Sequence, residues 1–217
     1  MPDCEGTQAP RPVYDKCMQP TEPAAAREVD ADEQALVRLA RQNDQVAWVK
    51  LVRTYQEPVF RLAYLILGDA ADAEDAAQET FIRAYTALDR FDDARPLRPW
   101  LLSIAANLAR NRRRSLGRYW GALQRAFQAN PQAHHPPPER TEAADARRLR
   151  EAVTRLRPDG QNIVYMRYFL GLSEAETAAA LDIPAGTAKS RLSRALTQLR
   201  GIIESDYPDL RDALGER

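Results

Sequence analysis

Three clusters of side chains in this 217-residue chain have types and spacings suited to chemistry, and in each the chemistry is recognition. The sharpest is the run from Leu172 to Leu199, LSEAETAAALDIPAGTAKSRLSRALTQL. Its second half forms a helix from about Ala185, with Thr187, Lys189, Ser190, Arg191 and Arg194 on or beside one face. Ala188, Leu192, Ala195, Leu196 and Leu199 form the opposite, apolar stripe. Arginine can grip a guanine edge with two hydrogen bonds, and lysine, serine and threonine hold phosphates or bases. Upstream, Ser173 and Glu176 form an S-x-x-E capping box, and Asp182-Ile183-Pro184 supplies a tight turn. A capped helix, a turn and a second helix make a helix-turn-helix, which sets a helix end into the major groove of DNA. The blander alternative is an amphipathic surface helix with a solvated face; the capped helix and turn before it favour DNA reading.

The second cluster is acidic. Asp69, Asp72, Glu74, Asp75, Gln78 and Glu79 lie within eleven residues, just ahead of Phe81. Acids early in a helix suit its dipole, so part of this pattern is structural. On the residues alone, a solvated face and a docking face for a basic partner stand level. Metal binding or acid–base catalysis is disfavoured, because no histidine, cysteine or glycine-rich loop accompanies the carboxylates. No metal and no cofactor are expected.

The third cluster is RPLRPWLLSIAANLARNRRR, preceded by a loop with Phe91, Asp92, Asp93 and Arg95. Trp100 keeps core spacing with Leu101 and Ile104. Asn107, Arg110, Asn111, Arg112, Arg113 and Arg114 follow on exposed turns, with Arg98 at the start. A run of charge is ordinarily just solvated; beside a DNA-reading motif, phosphate binding is the better reading. The loop is of a type that can stack or pocket an unstacked base.

These clusters need helices to hold them. Residues 1–29 are proline-rich with little apolar periodicity and read as a disordered tail. Helical spacing then covers 30–116: Leu36, Leu39 and Ala40; a helix after Asp44 with Val46, Val49 and Leu51 inward; and a helix from Asp69 to about Leu88 with Ala73, Ala76, Ala77, Thr80, Phe81 and Ala84 inward. Pro58 predicts a kink or boundary, Gly68 a stop, and Pro99 the start of the basic helix. The stretch 117–140, ending in HHPPPER, reads as a flexible linker, because consecutive prolines cannot continue a helix. A second helical domain occupies 141–203, with 204–217 as a frayed tail. The fold class is all-α: two small helical domains on a tether.

Bulk properties agree. Formal net charge is zero, yet residues 1–35 hold eight acids and three bases, while 94–138 hold eight arginines and no acid. Cys4 and Cys17, both in the tail, make neither a zinc site nor a disulfide framework. No apolar run approaches the roughly 18–20 residues that span a bilayer, and no signal-peptide pattern opens the chain. A cytoplasmic protein without direct membrane insertion is expected.

Two blocks carry a resemblance. DAEDAAQETFIRAY with FDDARPLRPWLLSIAANLARNRRR resembles the first domain of the extracytoplasmic-function sigma factors of the sigma-70 family, with its Q-E-T-F and R-P-W-L-x-x-I-A-x-N signatures. LSEAETAAALDIPAGTAKSRLSRAL is similar to the family's L-S-x-x-E-x-A-x-x-L-x-I-P-x-G-T-x-K-S-R-L. The resemblance implies a non-catalytic initiation subunit that binds core RNA polymerase and directs it to promoters. Asp69, Asp72, Glu74, Asp75, Gln78, Glu79 and Phe81 would dock on the clamp helices of the polymerase's largest subunit, with a further contact at its flap region. Phe91, Asp92, Asp93, Arg95, Arg98, Trp100, Asn107, Arg110, Asn111, Arg113 and Arg114 would recognise and help melt the −10 element. Gly186, Thr187, Lys189, Ser190, Arg191 and Arg194 would read the −35 element as duplex. An anti-sigma factor is the expected regulator.

The sequence departs from that pattern at Thr177, Ala180 and Ala188, which are smaller than usual, and at Asp182, where glycine is usual. A positive φ at Asp182 would cost up to about 1 kcal/mol. The rival readings are a stand-alone helix-turn-helix regulator, which leaves the acidic and R-P-W-L blocks without a role, and an enzyme using His134 and His135, which sit in the proline-rich tether.

Overall fold

The computed structural model describes residues 31–93, 95–127 and 142–207, and among them there are helices and turns but no strand. The terminal tails, Cys4, Cys17, His134 and His135 lie outside the described residues.

The first domain is built from α1 (Ala31–Arg41), α2 (Gln45–Leu67), α3 (Ala70–Ala87) and α4 (Leu97–Phe127), with a 3-10 turn at Leu88–Arg90. Local chemistry sets most of the boundaries. Asp44 caps α2 by accepting from the Val46 and Ala47 amides at 2.8 and 3.0 Å. Gly68, at φ 79°, ends it in the left-handed region, its N–H donating to the Tyr64 carbonyl. Asp69 then caps α3 through the Asp72 amide. Leu62, Ala63, Ala73, Leu88, Leu97, Leu101, Leu102 and Ala105 are essentially inaccessible. Each fully buried leucine among them contributes about 1.5–3 kcal/mol through removal from water.

The start of α4 has a cap that does not come from its own sequence neighbourhood. Glu33 of α1 accepts from the Leu97 amide at 2.9 Å and also takes the Tyr55 hydroxyl. One carboxylate thereby ties α1, α2 and the N-terminus of α4 together.

The second domain comprises α5 (Glu142–Thr154), α6 (Pro158–Val164), a π turn at Tyr165–Phe169, α7 (Glu174–Leu181) and α8 (Ala185–Asp206). Pro158 opens α6 at a first-turn position, where a missing N–H costs nothing. Tyr165, Met166, Ile163 and Leu172 are buried between α6 and the rest.

Several details differ from the sequence-based expectation. Pro58 lies inside a single helix, α2, instead of dividing it. The basic helix begins at Leu97, and it runs on through Phe127, so the expected linker 117–140 begins as helix. Loss of apolar periodicity there is not loss of helix, because Arg, Ala, Leu and Gln are all good helix formers. Leu39, Val46 and Val49 were expected inside; they are exposed at 43%, 67% and 44%, and Val37 and Ala47 face the core in their place. Phe81 is only half-buried, edge-on to Trp48 at 6.3 Å.

Candidate nucleic-acid interface

The helix-turn-helix is assembled as its residues dictate. Both halves of the capping box form: the Glu176 amide donates to the Ser173 hydroxyl at 3.1 Å, and the Ser173 amide to the Glu176 carboxylate at 2.8 Å. Asp182 closes α7 at φ 52°, so the strained turn foreseen for a non-glycine residue is present. The Asp182 and Ile183 amides donate back to the Ala179 and Ala178 carbonyls, which satisfies the end of α7. Ala188, Ala195, Leu199 and Ile203 then bury the inner stripe of α8.

The outer face of α8 is open. Gly186, Lys189, Ser190 and Arg194 are exposed and Thr187 is half-buried. Ser190 donates to the Thr187 carbonyl at 3.1 Å and the Arg194 Nε to the Ser190 carbonyl at 3.2 Å, both within α8. Arg191 makes a 3.5 Å ion pair with Asp159 of α6. Nothing in the folded chain lies within 4 Å of where a Cβ at Gly186 would stand, so internal packing does not demand glycine there.

On α4 the picture is different. Arg98 donates to the Leu170 carbonyl at 2.6 Å, and Arg113 to the Gln161 side-chain oxygen at 2.7 Å, both in the second domain. Arg110 donates to the Ala106 carbonyl at 3.1 Å and to Asn107. Partial burial lowers its pKa below the usual arginine range, opposed by the facing carboxylate of Asp159. Arg114 donates to Asn111 at 2.5 Å. The structure therefore brings these basic side chains onto one helix but gives most of them internal acceptors.

The loop before α4 is partly tied down. Asp93 pairs with Arg38 at 3.3 Å and Arg41 at 3.8 Å, and Asp92 pairs with Arg95, which is otherwise exposed. Phe91, expected in the −10 reader, is 7% exposed in the free chain, and its ring packs against Trp100 at 4.7 Å. Its carbonyl accepts from Arg41, which also donates to the Leu88 carbonyl at 3.0 Å. Arg41 thus holds the loop's backbone in place. Trp100 is half-buried.

On α3, Glu74, Asp75 and Gln78 are exposed, and Asp69 is occupied as a cap. Glu79 pairs with Arg83 one turn on, at 2.7 Å. Asp72 and Asp75 both accept from Arg112 of α4, at 2.7 and 2.8 Å, which raises the Arg112 pKa through the Asp75 hydrogen bond first. Arg112, Arg41 and Glu33 are the residues the sequence reading missed as site builders. Their partners are 22 to 64 positions away, and no local pattern signals such contacts.

The C-terminal half of α3 also carries an apolar surface in which Ile82 and Tyr85 are exposed at 60% and 40%, and Tyr85 packs on Trp48 at 5.1 Å. Among the described residues, no group of three or more potential ligands could hold a metal ion, and no helix is long and apolar enough to cross a membrane.

Residues 51–119 match Sigma-70 region 2, and residues 146–199 match Sigma-70, region 4. The RNA polymerase sigma factor NccH of Alcaligenes xylosoxydans xylosoxydans is 31% identical over 177 residues, spanning 80% of this chain and 95% of the relative. The ECF RNA polymerase sigma factor SigW of Bacillus subtilis (strain 168) is 30% identical over 173 residues, spanning 76% and 92%. The fold is shared with CnrH, solved in complex with the cytosolic domain of CnrY, at a TM-score of 0.63 and 24% identity over 81% of this chain and 99% of that one. With both domains matched in order and relatives aligned over nearly their whole length, the chain belongs to the extracytoplasmic-function sigma factors of the sigma-70 family.

Proposed function

We propose that this sigma factor directs core RNA polymerase to promoters by reading a −35 element as duplex with α8 and capturing a melted −10 element with the loop before α4 and α4 itself. The observation that carries the reading is the open face of α8, whose Lys189, Ser190 and Arg194 lie exposed behind a fully formed capping box and turn. An exposed helix end with donors of this kind fits the major groove, where arginine and lysine recognise guanine and the backbone phosphates. Arg191, Thr187 and the bare backbone at Gly186 complete that face.

In the first domain, Arg98, Trp100, Asn107, Arg110, Asn111, Arg113 and Arg114 are the −10 contacts, with Asp92, Asp93 and Arg95 in the loop. Phe91 supports Trp100 from beneath. Melting is driven by capture of unpaired bases against aromatic and basic groups, with no nucleotide hydrolysis by this chain. The α3 face bearing Asp69, Asp72, Glu74, Asp75, Gln78, Glu79 and Phe81 docks on the clamp helices of the largest polymerase subunit, and the second domain meets the flap region. The apolar Ile82–Tyr85 surface beside those acids supplies the area that an acidic stripe alone lacks. An anti-sigma factor holds the protein inactive; CnrH, of like fold, was solved with a partner protein in place.

Run-off transcription with bacterial core polymerase on fragmented genomic DNA, with 5′ ends mapped, tests the reading. New start sites that share spaced −35 and −10 motifs are expected only when this protein is added. Failure of core polymerase to bind the chain would sink the α3 docking and leave a stand-alone DNA regulator.

A further inference from the structure

Lys189, Ser190 and Arg194 stand exposed on the outer face of α8, and among the described residues neither Lys189 nor Arg194 pairs with an acid. Arg191 does. Its guanidinium lies 3.5 Å from the carboxylate of Asp159 in α6, and its side chain is half-buried. A carboxylate at the edge of a DNA-reading face is an unfavourable neighbour for DNA, because it repels the phosphate backbone and donates nothing to it.

Packing puts the acid there. Pro158 opens α6, and Asp159 follows in its first turn. Gly160, the next residue, lies against α8, where a Cβ would already touch the Ala195 Cβ at 3.4 Å. Ala195 is four positions past Arg191, so the two share a side of α8, and the approach at Gly160 carries Asp159 up to Arg191. Gln161, Asn162, Ile163 and Val164 are all buried, which fixes how α6 is turned. A first-turn acid also suits the helix dipole, but that duty needs no arginine opposite.

The consequence falls on Arg191. A free arginine side chain must be ordered when it binds. It can also swing to the nearest phosphate, a contact that carries no sequence information. An ion pair at one end of the guanidinium holds it against both. Arginine carries its N–H donors in a rigid fork, so those turned away from Asp159 remain for the O6 and N7 of guanine. Where guanine is absent, the arginine gains nothing from the base, and the repulsion between Asp159 and phosphate remains. Specificity then comes from an unfavourable element that only the right sequence offsets.

We infer that Asp159 is a positioning residue for promoter selectivity: it holds the Arg191 guanidinium for a guanine edge and penalises duplexes that lack that guanine. The inference rests on the proposed −35 reading and deepens it, by assigning a share of the base preference to a residue outside the recognition helix.

Duplex binding by core polymerase carrying the full-length chain tests this. The probes are fluorescent duplexes spanning the −35 element of a start site found by run-off transcription, with each position replaced in turn by the other three bases. The wild type is expected to prefer a G·C pair that Arg191→Ala no longer distinguishes. Asp159→Asn should cut that preference about three- to tenfold, the range that ordering one rotamer-rich side chain supports, chiefly by tightening the mismatched duplexes. Asp159→Glu keeps the charge and should restore most of the preference. In the Arg191→Ala background, Asp159→Asn should leave the preference unchanged. That background also isolates the α8 partner from Arg110 of α4, which faces Asp159 as well, since an effect passing through Arg110 would survive there. Asp159 is largely exposed, and the thermal midpoint of each variant checks its folding. A lower midpoint with wild-type preference would make the pair a staple between α6 and α8 and overturn the inference. An equal change on every duplex would overturn it too, leaving Asp159 as a charge and nothing more. A wild-type holoenzyme blind to every −35 substitution would overturn the −35 reading itself, and the inference with it.

Discussion

Arg98 and Arg113 on α4 spend their guanidinium hydrogen bonds on the protein itself, whereas Lys189, Ser190 and Arg194 on α8 face solvent. Both helices carry the same kind of chemistry; they differ in readiness. The contrast suits their targets. Duplex DNA presents its edges at all times, so its reader can stay open. Unpaired bases exist only after melting, and a helix of bare arginines would meanwhile hold any polyanion non-specifically.

The largest expected effect separates the two regions by stability. Leu102→Ala, at a site with no exposure, should destabilise the first domain by about 2–5 kcal/mol through lost burial and the cavity left behind. Urea unfolding followed by Trp48 and Trp100 fluorescence should shift to lower denaturant, while helix signal from the second domain persists. One shared transition for both would mean that they unfold as a unit and that the comparison is of two faces of one body. A middle-sized effect separates them by binding. Arg191→Ala should cost about 1–3 kcal/mol in affinity of the polymerase-bound protein for a −35 duplex and relax base preference at one position. Its own ion pair with Asp159 is partly exposed, so stability should move by no more than about 1 kcal/mol. Equal loss on every duplex sequence would recast Arg191 as a phosphate contact. The smallest effect sits in the turn: Asp182→Gly should stabilise the second domain by up to about 1 kcal/mol through relieved left-handed strain, read as a slightly higher thermal midpoint. A lower midpoint would show that the Asp182 side chain contributes more than its backbone costs.

Much of the second domain was legible because its determinants are local. The capping box needs only Ser173 and Glu176, three residues apart, and the strained turn follows from one non-glycine residue at one position. The first domain was less legible. Apolar periodicity marked α2 as a helix but did not say which stripe would be covered, so Val46 and Val49 were placed inside when they are exposed. The burial of Phe91 was not legible from its loop context; the Arg41 hydrogen bonds that fold its backbone inward come from 47 to 50 positions away. Arg112 reads as one more member of a basic run until Asp72 and Asp75 are seen beside it. The contact between the domains is illegible for the same reason, since Gln161 and Leu170 carry no sequence mark of their partners in α4.

The double use of Glu33 sets a clock on the making of this protein. Its contact with the Leu97 amide spans 64 positions. At about 5–20 residues per second, a ribosome takes roughly 3–13 s to deliver the second partner after the first. During that interval α1 and α2 are already synthesised and the Tyr55 hydroxyl can reach the carboxylate, yet its second oxygen has no α4 amide to accept from. The first domain therefore finishes folding late; a nascent chain stalled before Leu97 would hold α1, α2 and α3 with the apolar side that α4 covers left open, a natural client for a chaperone.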